Sequence, residues 1–546
     1  MNFLFFAELC RKIESIKGRL DTIDLLSNAI REVECPDLPI FVRLILGKPF
    51  PDWSPLKLGI GPNLLYESVA YVTGRNREKV LSTLNSVGDL GRAVEEMLES
   101  KSQTSFFSEE LTLAEVYSSF EAIAQAEGGK SQKERLRIIQ RLFSVATPLE
   151  GHYITGILLD DMRIGVGEGN LRDAIAKAFD VDSGLVEHAQ QILNDMGEVA
   201  LLASQGKEAL SHVRLHLFHP VRMMLARQGT ISEVIADAGT IAVEYKYDGA
   251  RFQFHKQGST GRMYSRKLED VTNSLPDVVS MLLNATDHNL ILDGEVIAIK
   301  DGRPMPFQTV LKRFRRKHGV ADAVEAIKLV PNVFDILLLD GEILLDQSFS
   351  ERRKILTEVL RDYATPQLVS SDLIEIEQYY HQALDNGHEG VMLKLPNSRY
   401  TPGMRGKDWV KIKPEVDTLD LVAIGAEWGE GKRAHVYGSF LLAARQDDQL
   451  VPVSRVATGL SDEQLTWLYS TLKDEVIHSE GKMIFFEPRI VFEIGYSEIQ
   501  QSPNYEGGFT LRFPRFVRVR DDKDIREANT IGDIEERYLT IHPELR

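Results

Sequence analysis

A lysine beside a tight turn, Lys246, is the side chain in this sequence with the clearest chemical potential. Residues 241–246 and 250–255 each alternate apolar with polar side chains, which predicts two strands. Asp248-Gly249 between them predicts a hairpin, because glycine tolerates the positive φ of a tight turn. We therefore expect Lys246 at the end of a strand, with Glu244 on its own face and Arg251 nearby across the hairpin. A lysine in that position can act as a nucleophile.

Further charged residues occur where apolar runs, and hence strands, are expected to end. They are Arg266 after Tyr264-Ser265, Glu295 in Asp293-Gly294-Glu295, Glu389 before an apolar run, and Lys411 and Lys413 on one strand face. Any one of these residues is better explained as a structural ion pair. Their occurrence together, in this order, favours a site in which carboxylates and cations surround the lysine.

Three regions of different sequence pattern would position these residues. Residues 1–213 carry Leu and Ile at helical spacing and predict an all-α domain. Residues 214–415 mix short β runs with helices and predict an α+β domain. Residues 416–546 are dominated by short strands and have the length of a small β-barrel. A chain of 546 residues is too long for a single core, so a multidomain protein is expected.

Composition restricts the class of protein further. The net charge of −17 argues against a protein coated in nucleic acid, but basic runs at 312–318 and 512–520 leave local phosphate binding open. Two cysteines cannot build a disulfide framework or a four-cysteine zinc site. The sequence has no apolar run long enough to cross a bilayer, and residues 1–7 fit a buried helix better than a signal peptide. We expect a cytoplasmic protein without membrane contact.

The ordered motifs resemble those of the covalent nucleotidyltransferase superfamily of polynucleotide ligases and capping enzymes. They are most similar to the archaeal and eukaryotic replicative ATP-dependent DNA ligases. The similarity extends to residues 161–168, 265–272, 306–308, 399–403, 456–460 and 511–523, and so covers nearly the whole chain. It implies an all-α DNA-binding domain, an adenylation domain and an OB-fold β-barrel domain in a nucleoid-associated monomer.

The same resemblance implies sealing of nicks in duplex DNA with ATP and Mg²⁺, in DNA replication, recombination and repair. Lys246 would take AMP from ATP and pass it to the 5′-phosphate of the nick. The implied roles are Glu244 at the adenine edge, Phe334 on the base, Arg251 and Arg266 on ribose or phosphate, Glu295 on ribose or metal, Glu389 on magnesium, Arg405, Lys411 and Lys413 on phosphates, and Arg520 and Lys523 on pyrophosphate.

Two features of the first region have alternative interpretations. Gly165-x-Gly167-x-Gly169 precedes a helix expected to begin near Asn170, and it could hold a DNA phosphate or form a plain helix–helix turn. Gln103, Phe106 and Phe107 resemble the sliding-clamp-binding box of archaeal ligases. The two phenylalanines could equally be core residues, and both interpretations remain open.

Three other functions were weighed against a DNA ligase that uses ATP. An NAD-dependent ligase is disfavoured because two cysteines cannot supply the zinc module of that class. An RNA ligase or a capping enzyme that uses GTP shares Lys-x-Asp-Gly, but the long helical region and residues 512–523 argue against it. A catalytically silent DNA-binding or clamp-binding scaffold would not need Lys246, Glu295 and Glu389 together with Lys411 and Lys413.

Overall fold

The structure is a computed structural model that describes residues 1–99, 110–314, 324, 327–414, 417–429, 433, 436–447 and 449–541. The chain divides into two compact units, Met1–Lys413 and Pro414–Arg546. Within the described ranges, no helix combines the length and the apolar character needed to span a bilayer.

The first unit begins with a helical region. Its helices are α1 Phe3–Ser15, α2 Arg19–Glu32, α3 Leu38–Ile45, α4 Pro62–Thr73, α5 Arg77–Val87, α6 Leu90–Glu99, α7 Leu113–Gln125, α8 Ser131–Val145, α9 Pro148–Leu158, α10 Glu168–Phe179, α11 Ser183–Leu193, α12 Met196–Ser204 and α13 Lys207–Ser211. Helix α1 illustrates why they form. Asn2 caps it by accepting from the Leu4 N–H, and Phe6, Leu9 and Ile13 recur at helical spacing on its buried face.

The second region of the same unit mixes strands and helices. Its elements are β1 Leu225–Gln228, α14 Ile231–Ala238, β2 Ile241–Lys246, β3 Ala250–Gln257, β4 Thr260–Ser265, α15 Pro276–Asn284, β5 Leu290–Lys300, β6 Arg303–Pro304, α16 Phe307–Phe314, β7 Lys328–Leu339, β8 Glu342–Ile343, α17 Phe349–Val359, β9 Gln367–Ser370, α18 Leu373–Asp385, β10 Gly390–Lys394 and β11 Arg405–Ile412. Short 3₁₀ turns cover Thr272–Ser274 and Arg361–Tyr363.

These strands form two sheets. The first has the order β1-β11-β10-β2-β9 and the second the order β4-β3-β5-β7-β8, with β6 paired to β5. A small apolar cluster contains residues of both sheets, among them Ile291, Leu337 and Trp409. Because this cluster ties the two sheets together, the strand ends at the edge of the cluster are held in fixed positions.

The predicted hairpin at Asp248-Gly249 is wrong. Strand β2 pairs with β9 and β10, whereas β3 pairs with β4 and β5, so the turn carries the chain from one sheet to the other. An Asp-Gly turn signal is local and does not specify the partner of the following strand. The strands themselves lie where the alternation predicts them.

The second unit is rich in strands. Its elements are β12 Thr418–Trp428, β13 Tyr437–Gln446, β14 Gln449–Val456, α19 Asp462–Leu472, β15 Val476–Glu480, β16 Met483–Gly495, β17 Glu498–Gln501, β18 Phe509–Arg512, β19 Arg515–Val519 and α20 Ile531–Ile541, with a 3₁₀ turn at Ile525–Glu527. One sheet has the order β14-β13-β12-β16-β15 with β19 paired to β16, and β17 pairs with β18.

Candidate active site

Three neighbouring strands of the first sheet end around Lys246. Strand β10 lies between β2 and β11, with Gly390 opposite Lys246 and Val391 opposite Ile412. The Glu389 N–H donates to the Lys246 carbonyl oxygen at 2.9 Å. The ladder therefore brings Lys246, Glu389 and the end of β11 together, although they are far apart in the sequence.

The Glu389 carboxylate bridges two cations. Its Oε2 contacts the Lys246 ammonium and lies 2.6 Å from Lys413 Nζ. Burial opposes ionisation of Glu389, but Lys246 and Lys413 outweigh it and lower its pKa to about 2. Burial also lowers the pKa of Lys411, and the nearby charges of Lys413, Lys246 and Arg405 lower it further. The site thus concentrates positive charge of the kind that binds phosphates.

Two glycines allow this close approach of strands. A Cβ on Gly390, whose φ is +136°, would overlap the carbonyl oxygen of Ile412. A Cβ on Gly249 would overlap the carbonyl oxygen of Val296. The positions of Lys246 and Glu389 therefore depend on backbone contacts that admit no side chain.

A second carboxylate, Glu295, lies on β5 beside the turn. Its Oε1 accepts from the Gly249 N–H at 3.2 Å. Burial raises the pKa of Glu295 to about 7 against the opposing effect of Lys246 and Arg251, and the Glu389 charge raises it too. Glu295 therefore changes charge near neutral pH, where Glu389 stays ionised.

Glu295 and Glu389 fit a magnesium ion that is also bound by substrate phosphates. Mg²⁺ prefers oxygen ligands and is usually held by one or two carboxylates together with phosphates and waters. Within the described ranges, no group of three or more His, Cys, Asp or Glu side chains could hold a metal unaided. Glu295 and Glu389 would therefore supply only part of the ligand set of such an ion.

Phe334 projects from an irregularity in β7. Asp335 pairs with Asp293 and Val333 with Gly294, so Phe334 is an extra residue on its strand. Such a bulge redirects a side chain. Arg251 Cζ lies 5.3 Å and Lys394 Nζ 4.6 Å from the centroid of the ring. Two cations thus fix the ring that was predicted to stack on the base.

Arg251, predicted to contact ribose or phosphate, is held by protein groups. Its Nε and Nη2 donate to the two carboxylate oxygens of Asp293 at 3.0 and 2.6 Å. Its Nη1 donates to the Met224 carbonyl oxygen at 2.7 Å, and the Tyr400 hydroxyl donates to Asp293 at 2.6 Å. Asp293 is fully buried, so this network anchors β3 to β5. The contact of Arg251 with ATP stays a prediction.

Glu244, predicted to read the adenine edge, is buried in the sheet. Its Oε2 lies 2.7 Å from Lys394 Nζ, and its Oε1 accepts from Gln367 Nε2 at 2.9 Å. Arg353 Nη1 lies 3.8 Å from Oε1. The Glu244 carboxylate therefore contacts the side chains of Lys394, Gln367 and Arg353. It lies on the same face of the sheet as Lys246.

Comparisons with known proteins identify the family in three parts of the chain. Residues 2–176 match the family described as DNA ligase N terminus, residues 223–413 the ATP dependent DNA ligase domain, and residues 433–523 the ATP dependent DNA ligase C terminal region. The chain belongs to the ATP-dependent DNA ligase family. The enzyme class predicted from the sequence, a DNA ligase that uses ATP, is confirmed.

Relatives of similar length support the same assignment. The chain is 67% identical to a DNA ligase of Methanospirillum hungatei over 100% of both chains. It is 45% identical to a DNA ligase of Archaeoglobus fulgidus over 98% of both. The solved chain Pmar-Lig_Pre has the same fold, with a TM-score of 0.59 and 18% identity over 94% of this chain and 99% of that one.

Two further predicted ATP contacts of the ligase lie at strand ends. Arg405 is the first residue of β11, pairs with Leu225 of β1, and is exposed. Arg266 directly follows β4 in the second sheet and is also exposed. Arg405 is close enough to lower the pKa of Lys411, as noted above, whereas Arg266 lies just beyond the edge strand of the other sheet.

In the second unit of the ligase, Asp420 on β12 holds both predicted cations. Arg520 Nη1 lies 3.0 and 2.9 Å from the two carboxylate oxygens, and Lys523 Nζ lies 2.6 Å from one of them. Arg520 also binds Asp522 at 2.8 Å through Nε and through Nη2. Arg520, Lys523 and the two carboxylates Asp420 and Asp522 thus form one charged cluster.

Two predictions in the helical region have different outcomes. Helix α10 begins at Glu168 with Gly167 as its N-cap, two residues before Asn170, so the helix predicted to begin near Asn170 is present and Gly169 lies in its first turn. A glutamate and a glycine in the first turn are compatible with either boundary. The predicted clamp-binding residues Gln103, Phe106 and Phe107 lie outside the described residues.

Sequence analysis missed four residues that organise the site or its counterpart in the second unit. They are Asp293, Gln367, Lys394 and Asp420. A signal existed for Asp293 and Lys394, since a charged residue inside or at the end of an apolar run needs a partner. The same signal existed for Asp420, which interrupts the apolar run 419–424, whereas Gln367 carries no local signal because its partner lies on another strand.

Proposed function

We propose that this ligase seals nicks in duplex DNA through a covalent lysyl-AMP at Lys246. The Nζ of Lys246, after loss of its proton, forms a bond to the α-phosphorus of ATP as the bond to the pyrophosphate breaks. AMP then passes from Lys246 to the 5′-phosphate of the nick. Attack of the 3′-hydroxyl on this DNA adenylate forms the phosphodiester bond and releases AMP.

The convergence of β2, β10 and β11 carries this proposal. It places Lys246 beside Glu389 and beside Lys411 and Lys413, with a flat aromatic ring, Phe334, held by the same group of elements. Phosphoryl transfer depends chiefly on positioning and on neutralising phosphate charge. Lys246, Lys411 and Lys413 lie close together, so they can both position a phosphate and neutralise its charge.

The remaining predicted residues have roles in the same scheme. Glu295 and Glu389 would hold magnesium, which when bound neutralises phosphate charge. Arg266, Arg405, Lys411 and Lys413 would bind the ribose and phosphates, and Arg520 and Lys523 the departing pyrophosphate. Phe334 would stack on the base.

The domain assignments are part of the proposal. Residues 1–213 would be the DNA-binding domain, 214–415 the adenylation domain, and 416–546 an OB-fold domain. The helical texture of α1 to α13 and the short antiparallel strands β12 to β19 support these boundaries. The reaction would serve DNA replication, recombination and repair, since each process leaves nicks with a 5′-phosphate and a 3′-hydroxyl.

Labelling with ATP tests the nucleophile. The full-length protein incubated with α-labelled ATP and magnesium should acquire a label that is labile to acid and stable to alkali, as a phosphoramidate is. Lys246→Ala should show no label, whereas Lys312→Ala, a lysine on α16 outside the cluster, should be labelled like the natural protein. A label that persists in Lys246→Ala would contradict the proposal.

A nicked duplex tests the substrate. The natural protein should join a nick flanked by DNA strands at least about tenfold faster than one whose strands are RNA, a difference of about 1.4 kcal/mol in barrier. Faster joining of RNA would instead support the alternative of an RNA ligase. Either result is read from the same denaturing gel.

A further inference from the structure

Three aromatic rings pack together on the side of β2 that faces away from the Lys246 ammonium. Tyr245 precedes Lys246, and alternation along a strand directs its side chain to the opposite face of the sheet. The Tyr245 ring stacks on Tyr379 of α18, with centroids 4.9 Å apart and planes at 20°. It also stacks on His388, at 4.9 Å and 27°. Tyr245 is therefore packed against a helix and against the turn that leads into β10.

His388 also contacts the residue that follows the lysine. Its ring meets that of Tyr247 edge to face, with centroids 5.0 Å apart and planes at 81°. Tyr247 is buried, and its hydroxyl forms a hydrogen bond with the Thr365 hydroxyl. One side chain thus packs against both sequence neighbours of Lys246, which restricts rotation of the backbone on either side of the nucleophile.

The backbone around His388 is fixed as well. Its N–H donates to the Ala383 carbonyl oxygen in the last turn of α18 at 2.9 Å. The next N–H, that of Glu389, donates to the Lys246 carbonyl oxygen, and the Glu389 carboxylate contacts the Lys246 ammonium. Two consecutive residues therefore hold the backbone of Lys246, its ammonium and its two sequence neighbours.

The His388 side chain contacts both tyrosines by ring packing. It is half-buried, and within the described ranges its Nδ1 has no hydrogen-bond partner. Stacked and edge-to-face pairs depend on the flat shape and the charge distribution of the rings. We propose that His388 is a positioning residue, which holds Lys246 ready to attack the α-phosphate by packing on Tyr245 and Tyr247. This inference rests on the proposed adenylation of Lys246.

The steps of ligation separate positioning of the lysine from support of the fold. The Lys246 Nζ gains a bond to phosphorus when the protein is labelled and loses it when AMP passes to DNA. In the last step the 3′-hydroxyl oxygen bonds to the 5′-phosphorus as the hydroxyl loses its proton and AMP leaves. Lys246 neither gains nor loses a bond there. Joining of a nick that already carries the 5′-adenylate therefore requires the folded site but not the oriented nucleophile.

Removal of the ring tests the proposal. His388→Ala should lower the labelling rate at saturating ATP by about ten- to a hundredfold, because a small displacement of a reacting group is costly. The half-saturating concentration of ATP should change by less than about twofold. Joining of a pre-adenylated nick without added ATP should stay within about twofold of the natural rate.

Two further variants serve as controls. His388→Phe keeps a flat ring and should restore labelling to within about threefold of the natural rate. His381→Ala removes a histidine that is exposed on α18 and whose ring lies 5.4 Å from that of Tyr380, so it should change neither rate. If His388→Ala does not fold, His388→Leu fills the space without a flat ring. It should show the same slow labelling with normal joining.

Three results would overturn the inference. The first is labelling at the natural rate in His388→Ala. The second is an equal loss of labelling and of joining, which would limit His388 to supporting the fold. The third is a higher half-saturating concentration of ATP with an unchanged maximal rate, which would assign His388 to nucleotide binding. Failure of the natural protein to label Lys246 with ATP at all is a different outcome, because it rejects the proposed function itself.

Discussion

Two carboxylates of this ligase each bridge a pair of cations, but the surrounding backbone differs. Glu389 in the first unit directly precedes β10, with its N–H bound to the Lys246 carbonyl oxygen, and its two cations lie at the ends of two other strands, Lys246 on β2 and Lys413 just after β11. Asp420 in the second unit holds Arg520 and Lys523, which both come from one short segment after β19.

This difference indicates how each cluster can respond to a substrate. Around Glu389 the strand pairing fixes the cations one against another, so a phosphate meets a site that is already arranged. Around Asp420 both cations belong to one segment. A movement of that segment would therefore separate Arg520 and Lys523 from Asp420 together. The same contrast holds for ion pairs: Asp335 and Arg352 in the first unit are completely buried, whereas each described pair of the second unit keeps some exposure.

The strongest test of the comparison removes the charge of each carboxylate. Glu389→Gln should slow formation of the labelled protein by about a hundred- to a thousandfold, because the charge that orders Lys246 and Lys413 is lost. Asp420→Asn should slow it by about tenfold or less. Rates are measured at saturating ATP, with thermal melting as the folding control. Equal effects would mean that the two clusters share one role.

Stability distinguishes the buried pairs of the first unit from the exposed pairs of the second. Asp293→Asn leaves Arg251 in the interior without its charged partner and should cost about 3–5 kcal/mol of unfolding free energy. Glu427→Gln breaks the half-exposed pair with Arg455 in the second unit and should cost about 1 kcal/mol or less. Urea titration measures both. Similar losses would remove the contrast between the units.

Acid should weaken the first unit through His255, which is fully buried. Burial lowers the pKa of His255 to about 3, and its Nδ1 accepts from the Phe218 N–H at 2.9 Å. An unfolded histidine has a pKa of about 6.5, so the unfolded chain binds the extra proton between these values. The contribution of His255 to stability is present above pH 6.5 and is lost as the pH falls towards 3.

By pH 5 this loss should reach about 2 kcal/mol, the free energy of a difference of about 1.5 pH units. His255→Gln should flatten the dependence of stability on pH between 7 and 5. His478→Gln, which changes an exposed ring in the second unit, should leave that dependence as it is. Urea titrations at the two pH values provide the measurement. An unchanged slope in His255→Gln would contradict the prediction.

The smallest effect is expected from the outer partner of Arg520. Asp522 is exposed, and Asp420 binds Arg520 through both carboxylate oxygens without it. Asp522→Asn should therefore change the labelling rate by no more than about twofold. A loss as large as that of Asp420→Asn would show that the cluster depends on all its members rather than on one carboxylate.

The sequence predicted the strand ends well because their signals are local. The apolar alternation and the charged residues that interrupt it located Lys246, Glu389 and Lys411 at the ends of β2, β10 and β11. Helical spacing likewise located the helices before Ser211. These features depend on neighbours within a few residues, which the sequence displays directly.

What the sequence could not predict depends on distant partners. The turn at Asp248-Gly249 satisfies the rules of a hairpin, yet the packing of two sheets sends β3 to a different neighbour. The sequence around Arg251 predicted a contact with ribose or phosphate, but it did not reveal that Asp293 on a neighbouring strand forms an ion pair with this arginine. The contacts of Gln367 and Asp420 become known only from the residues that face them across a strand pair or a loop.

The irregularity in β7 has a consequence for how the ligase tolerates change. Phe334 is present as one residue more than the ladder between β5 and β7 requires. Val333 and Asp335 already pair with the adjacent residues Gly294 and Asp293, so these two pairings do not require Phe334. Deletion of Phe334 would remove the ring that packs against Trp409 and lies beside the Lys394 ammonium, which is the ring predicted to stack on the base. At this position the length of the chain, as much as the identity of its residues, determines which side chain lies beside Lys394.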